Sequence, residues 1–133
     1  MIYALDTNII SYLLKDDETV YSRYFDTLSK GNQCTIPLIA YYEVRRGLEA
    51  NDAASKMRSF EKICVELDVY DLTIEDVSMA ASIYADRKNK GKMIDDADIL
   101  IAAQCITNGY TLVTNNTKHF ENIEGLRIVN WVE

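Results

Sequence analysis

Proline occurs once and glycine five times in the 133 residues. With 48% hydrophobic and 26% charged residues, that scarcity excludes a collagen-like, low-complexity or disordered chain. The three cysteines, Cys34, Cys64 and Cys105, are odd in number and widely spaced, which excludes a disulfide framework or a zinc knuckle. They read as buried thiols of a reducing cytoplasm. Histidine occurs once, at His119, so a two-histidine acid–base mechanism is excluded within one chain. His119 itself reads as a surface residue. The longest apolar runs, Ile36–Tyr42 and Ile99–Ala103, fall far short of the roughly 20 residues of a membrane span. Met1–Asp6 lacks the basic start of a signal peptide and meets an acid at once. A soluble cytoplasmic protein is expected, with residues 1–133 as one domain. Basic residues are outnumbered too, 14 against 21 acids, for a formal charge of −7. That balance excludes a general basic surface for gripping nucleic acid. It leaves room for chemistry through bound metal ions and a local basic patch.

Short strands alternate with longer helices. Ile2–Leu5 is an apolar run ending in Asp6-Thr7-Asn8, a strand followed by a helix start. Val20, Tyr24 and Leu28 predict a helix over about 17–30, stopped at Gly31. Cys34–Ile36 is a second strand, with Pro37 suited to the first turn of a helix running to about Ala50. A further helix ends near Leu67, and Val69–Leu72 is a third strand. Thr73 and Asp76 have capping-box spacing, opening a helix that stops at Lys90-Gly91. Ile94–Asn108 is the next helix, closed by Gly109, before strands at Thr111–Thr114 and about Ile128–Val132. This alternation predicts an α/β fold with a short, mainly parallel central sheet.

Three acids fall where apolar residues belong. Asp98 shares a helical stripe with Ile94, Ala97, Ile101, Ala102 and Cys105. Glu43 does the same among Ile36, Ile39, Ala40, Val44 and Gly47, although Arg46 stands at i+3 to pair with it. Asp6 ends the first strand, where it is either an N-cap or a ligand-crevice residue of a parallel sheet. Ionised carboxylates are rarely buried unless paired or bound to metal. Convergence of the three would call for a hard, oxygen-seeking cation, Mg²⁺ or Mn²⁺. Thr114-Asn115-Asn116-Thr117 follows the last clear strand as a turn or as a neutral rim to the acids.

These residues, Leu5-Asp6-Thr7-Asn8, Tyr42-Glu43-Val44 with Gly47, Asp98–Ala103, and Leu112–Asn116 with Phe120, Gly125-Leu126 and Trp131, resemble the PIN-domain ribonucleases. Within them the chain resembles the VapC-like toxins of toxin–antitoxin pairs. The resemblance spans nearly the whole sequence and implies a three-layer α/β/α PIN-like fold. It implies a Mg²⁺- or Mn²⁺-dependent endoribonuclease with Asp6, Glu43 and Asp98 as its acidic centre, Asp6 and Asp98 being the metal ligands and Glu43 either completing the shell or holding the attacking water. Thr7, Thr114 and Asn116 are secondary metal or water-holding groups. Asn116 stands where many relatives carry a fourth acid, and Asp96 is expected only as outer shell or N-cap beside Asp95. The resemblance also implies a homodimer, a cognate antitoxin that occludes the acidic groove, operator DNA reached only through that antitoxin, and RNA, chiefly transfer RNA, as substrate.

For RNA contacts the sequence offers Arg87, Lys88, Lys90 and Lys92 ahead of the Asp98 helix, with Arg45 and Arg46 second. Nine tyrosines, with clusters at Tyr41-Tyr42 and Tyr21–Phe25, hint at a partner surface. Rival classes fit less well. A haloacid-dehalogenase-type phosphatase needs an acid where Asn8 stands, and a receiver domain needs an acid pair where Asp6-Thr7 stands. A non-catalytic metal-binding module would have no use for three costly acids. A housekeeping RNA-processing PIN nuclease is the nearest alternative.

Overall fold

Ile2-Tyr3-Ala4-Leu5 forms the central strand, and the other elements are laid out around it. In the computed structural model, which describes residues 1–133, β1 (Ile2–Leu5) leads into α1 (Thr7–Leu14) and α2 (Glu18–Ser29). β2 (Gln33–Pro37), α3 (Leu38–Ala50), α4 (Ala54–Leu67) and β3 (Val69–Tyr70) follow. α5 (Ile74–Asn89), α6 (Asp96–Asn108), β4 (Thr111–Val113), α7 (Thr117–Phe120) and β5 (Arg127–Val129) complete the chain. The strands lie in the order β3-β2-β1-β4-β5, and every neighbouring pair is parallel. The expected α/β class is therefore observed, with a wholly parallel sheet flanked by helices.

Ala4, Leu5, Ile36, Leu112 and Val113 are completely buried, as strands covered on both faces should be. They join one core of 24 buried hydrophobic residues that also holds Ile9, Ile10, Phe60, Ile101 and Phe120. The chain builds outward from β1 to β3, then returns to the other side of β1 for β4. That reversal opens a crevice at the carboxyl ends of β1 and β4, where open α/β sheets bind ligands. Leu5 pairs with Val113, so the residues that follow, Asp6 and Thr114, emerge side by side.

Several boundaries differ from those predicted, each for a local reason. The short helix α1 fills residues left unassigned between the Asp6 start signal and position 17. Pro37 ends β2 in extended backbone (φ −59°, ψ 143°) instead of entering the first turn of α3. The third strand stops at Tyr70 because the buried Gln104 Nε2 donates to the Tyr70 and Asp71 carbonyls. α6 starts at Asp96, two residues later than Ile94, because Asp95 adopts the extended N-cap conformation (φ −63°, ψ 150°). Gly109 stops that helix with φ +71°, a conformation glycine adopts without steric cost. Cys34 and Cys105 are buried free thiols, whereas Cys64 is only half-buried.

The capping box at the start of α5 forms as predicted: Thr73 N donates to Asp76 Oδ2 (3.0 Å) and Asp76 N to Thr73 Oγ1 (3.2 Å). Asp76 also accepts from the Thr107 hydroxyl and from Asn108 Nδ2, which pins α5 to the far end of α6. Asp76→Ala removes a buried acceptor shared by three donors. Its cost is expected at about 2–4 kcal/mol, read as a lowered midpoint in denaturant unfolding.

Candidate active site

Asp6 is fixed from three directions. Its backbone N–H extends the sheet by donating to the Val113 carbonyl (2.9 Å). Its Oδ1 accepts from Thr7 N (2.8 Å), capping α1. Its Oδ2 accepts from the buried Thr114 hydroxyl (2.7 Å), which itself accepts from Asn116 N (2.9 Å). The N-cap and crevice roles weighed against each other from sequence thus coexist in one side chain, only 3% exposed. Thr7 has a second use, because its Oγ1 donates to Glu43 Oε1 at 2.7 Å. Glu43 approaches from α3, with Arg46 Nη2 a loose 3.7 Å from its other oxygen.

Asp98 comes from α6. The later start of that helix puts Asp98 in its first turn, where the helix dipole favours an acid. Its side chain is 14% exposed, and His119 Nδ1 lies 2.9 Å from Oδ2. Where Asp98 is ionised it can only accept, which makes His119 Nδ1–H the donor of this contact. His119 is exposed, as predicted, yet it is engaged with an acid that the sequence did not pair with it.

Asp6, Glu43 and Asp98 line one open cavity of about 440 Å³, together with Thr7 and Asn116. Burial pushes Asp6 up to about 6; its bonds from Thr114 and Thr7 counter the rise, and the Asp98 and Glu43 charges add to it. Asp98 is also raised, first by burial, against the opposing His119 contact and with Glu43 and Asp95 adding repulsion. Carboxylates whose charges oppose ionisation of Asp6 and Asp98 gain from a cation between them. Their donors are all hard oxygens, the chemistry that suits Mg²⁺ or Mn²⁺. As positioned, no three His, Cys, Asp or Glu side chains form a closed ligand cluster; the acids are held by Thr7, Thr114 and His119 instead. The donor set therefore fits a divalent ion in kind.

Other expected residues fall elsewhere. Arg87 cannot meet a phosphate: it is 4% exposed, with Nε donating to the Lys92 carbonyl at 3.0 Å and Nη1 buried without a partner. Its position on the buried stripe Asp76, Ala80, Ile83 and Arg87 of α5 accounts for this. Lys88, Lys90 and Lys92 are exposed, and Lys90 is paired with Asp86 at 3.1 Å. None of these four cations lines the acid cavity. Asp95, not Asp96, is the N-cap of α6 and reaches the cavity wall. Ser11 and Tyr12 on α1 and Lys15 at its C-terminal end complete that wall and were missed. Their signal was present: with Thr7 and Asn8 they recur at helical spacing, opposite the buried Ile9, Ile10 and Leu13.

The raised Asp6 pKa gives a signed prediction for the metal-free protein. A group raised from 3.8 to about 6 on folding favours the native state below pH 3.8, and that contribution is lost as pH climbs through 6. Ionised Asp6 then costs the fold about 3 kcal/mol at pH 7. In EDTA, Asp6→Asn should melt higher than the unchanged protein at pH 7, and the gap should narrow between pH 6 and pH 4. Thermal unfolding across that range checks it.

A family model described as PIN domain matches residues 3–126. Ribonuclease VapC2 of Rickettsia felis is 34% identical over 138 aligned positions, covering 98% of both chains. The tRNA(fMet)-specific endonuclease VapC of Shigella flexneri is 28% identical and 97% covered on both sides. Among solved structures, VapBC2 from Rickettsia felis bound to a promoter DNA fragment contains a chain that matches with a TM-score of 0.90 at 29% identity, covering 98% of this chain and 99% of that one. With that match over nearly its whole length, and with VapC ribonucleases as full-length relatives, the chain belongs to the PIN-domain family.

Proposed function

We propose that this protein is a metal-dependent endoribonuclease toxin of the VapC kind, hydrolysing a phosphodiester in RNA at the Asp6–Glu43–Asp98 cavity. The observation that carries the proposal is the meeting of three acids, from positions 6, 43 and 98, in one cavity at the switch point of a parallel sheet. When bound by Asp6 and Asp98, Mg²⁺ or Mn²⁺ supplies positive charge to the scissile phosphate and acidifies water. The chain's own residues do the rest. Thr7 and Thr114 hold the Asp6 carboxylate rigid, so it needs no reorientation. Thr7 also anchors Oε1 of Glu43, leaving Oε2, which Arg46 approaches only loosely, to orient the attacking water and take its proton. The water oxygen bonds to phosphorus as the P–O bond to the leaving oxygen breaks, and that oxygen takes a proton from solvent in the open cavity. Asn116, on the cavity wall, offers a neutral amide to water or phosphate.

Transfer RNA is the substrate class proposed, supported by relatives named tRNA(fMet)-specific endonucleases in Shigella flexneri and Salmonella typhimurium. A cognate antitoxin is the proposed partner, with operator DNA contacted through it; DNA-bound VapBC complexes among the structural neighbours support this. Exposed aromatic surface on α2, Tyr21 at 53% and Phe25 at 63%, suits such a partner or a second copy in a homodimer. No helix is long and apolar enough to cross a membrane.

The test is cleavage of a tRNA pool by the purified protein with Mg²⁺ or Mn²⁺, with and without EDTA. Cleavage at discrete sites should require the metal and fall about 100-fold or more in Asp6→Asn and in Asp98→Asn. No cleavage, or activity surviving both substitutions, would overturn the assignment.

A further inference from the structure

The acid cavity does not end at the acids. A second hollow of about 220 Å³ shares Thr7, Ser11, Lys15 and Glu43 with it and continues between α1 and α3 to Asn51 and Lys56. The two halves differ in charge. Asp6, Glu43, Asp95 and Asp98 line the first, whereas Glu43 on the shared wall is the sole acid of the second, against two lysines. Building on the nuclease assignment, we propose that this continuation is the track for the phosphodiester backbone of single-stranded RNA beside the scissile bond, with Lys15 and Lys56 as its phosphate contacts.

Both lysines are free for that use. Lys30, Arg45, Arg46 and Lys90 stand within 4.0 Å of a carboxylate, whereas Lys15 and Lys56, like Lys88, Lys92 and Lys118, do not. Lys15 sits at the C-terminus of α1, where the helix dipole accommodates a cation. Lys56 has no such local reason. It occupies the first turn of α4, which carries no acid and no side-chain cap, so the dipole there disfavours a cation and attracts an anion. An anion in the groove would be drawn by both. The floor is open as well: a Cβ on Gly47 would meet nothing within 4 Å. A residue there that is larger than glycine would fill the groove without straining α3. In a protein of net charge −7, a cationic groove that opens onto clustered acids matches a polyanion delivered to a metal centre.

The experiment uses the full chain. Binding of a fluorescent 12-nucleotide single-stranded RNA is followed by anisotropy in EDTA across a KCl series, and cleavage of a tRNA pool is followed with Mn²⁺. Lys15→Gln and Lys56→Gln should each flatten the slope of log Kd against log salt by about 0.7, and the double variant should lose about 10-fold in affinity at low salt. Lys30→Gln, outside the groove, should leave the slope unchanged. Gly47→Leu improves helix propensity, so it should keep or raise the melting temperature and keep Mn²⁺ affinity, while raising KM about 5-fold or more. Should the unchanged protein cleave tRNA while all three groove variants retain its salt slope and KM, the track is overturned. Variants that lose affinity for an antitoxin but not for RNA would overturn it equally, assigning the groove to a protein. A protein that cuts no RNA at all fails earlier, at the nuclease assignment itself.

Discussion

A carboxylate held out of water at the carboxyl end of the central strand is the constraint on which the rest of this structure depends. Asp6 continues the β1–β4 ladder with its backbone and caps α1 with one oxygen, while its other oxygen takes the Thr114 hydroxyl. Strand, helix and returning strand are thus tied at a single residue. Its charge works against the burial that holds it, and the neighbouring Asp98 and Glu43 sharpen the conflict. Above its raised pKa the ionised group costs the fold stability, although its hydrogen bonds from Thr7 and Thr114 offset part of that cost. Retaining the acid makes sense where the protein draws on a function that offsets its cost, since strained and costly groups collect at functional sites.

The supporting residues show how this conflict is contained. Thr7 serves two acids at once, with its N–H on Asp6 and its hydroxyl on Glu43. Thr114 links Asp6 to the Asn116 backbone. His119 faces Asp98 across the gap between α6 and α7. Asp6 and Glu43 are therefore both held from α1, Asp6 also from the end of β4 and Asp98 from α7, and the group stays open toward the cavity. Farther out, Arg87 spends a buried guanidinium on the Lys92 carbonyl, and the Lys92 N–H returns to the Arg87 carbonyl (2.9 Å). That double tie shapes the connection that delivers Asp95 and Asp98.

Much of this was legible in the sequence where short-range rules decide. β1, the Thr73–Asp76 capping box and the Gly109 stop are local signals, and the structure follows them. The three acids stood out because each interrupts an apolar pattern or ends an apolar strand, and the fold brings them to one cavity. What was missed depends on contacts between distant segments. The α6 boundary moved because Asp95 took the cap, which turned Asp98 from a mid-stripe misfit into a first-turn acid. Arg87 looked like a surface cation within a basic run, although its spacing from Asp76, Ala80 and Ile83 already put it on the inward face. His119 lies 21 residues from Asp98, and nothing in the sequence connects the two. Lys15 and Lys56, 41 positions apart, line one hollow because α1 and α4 pack against each other and against α3.

The central claim is that Asp6, Glu43 and Asp98 act together as one divalent-metal centre. Calorimetric titration of Mn²⁺ into the protein and its Asp6→Asn, Glu43→Gln and Asp98→Asn variants tests this without recourse to any substrate. The account predicts saturable binding to the unchanged protein, weakened about 10-fold or more by Asp6→Asn and by Asp98→Asn, and reduced to a smaller extent by Glu43→Gln. Equal Mn²⁺ affinity across the unchanged protein, Asp6→Asn and Asp98→Asn would contradict it.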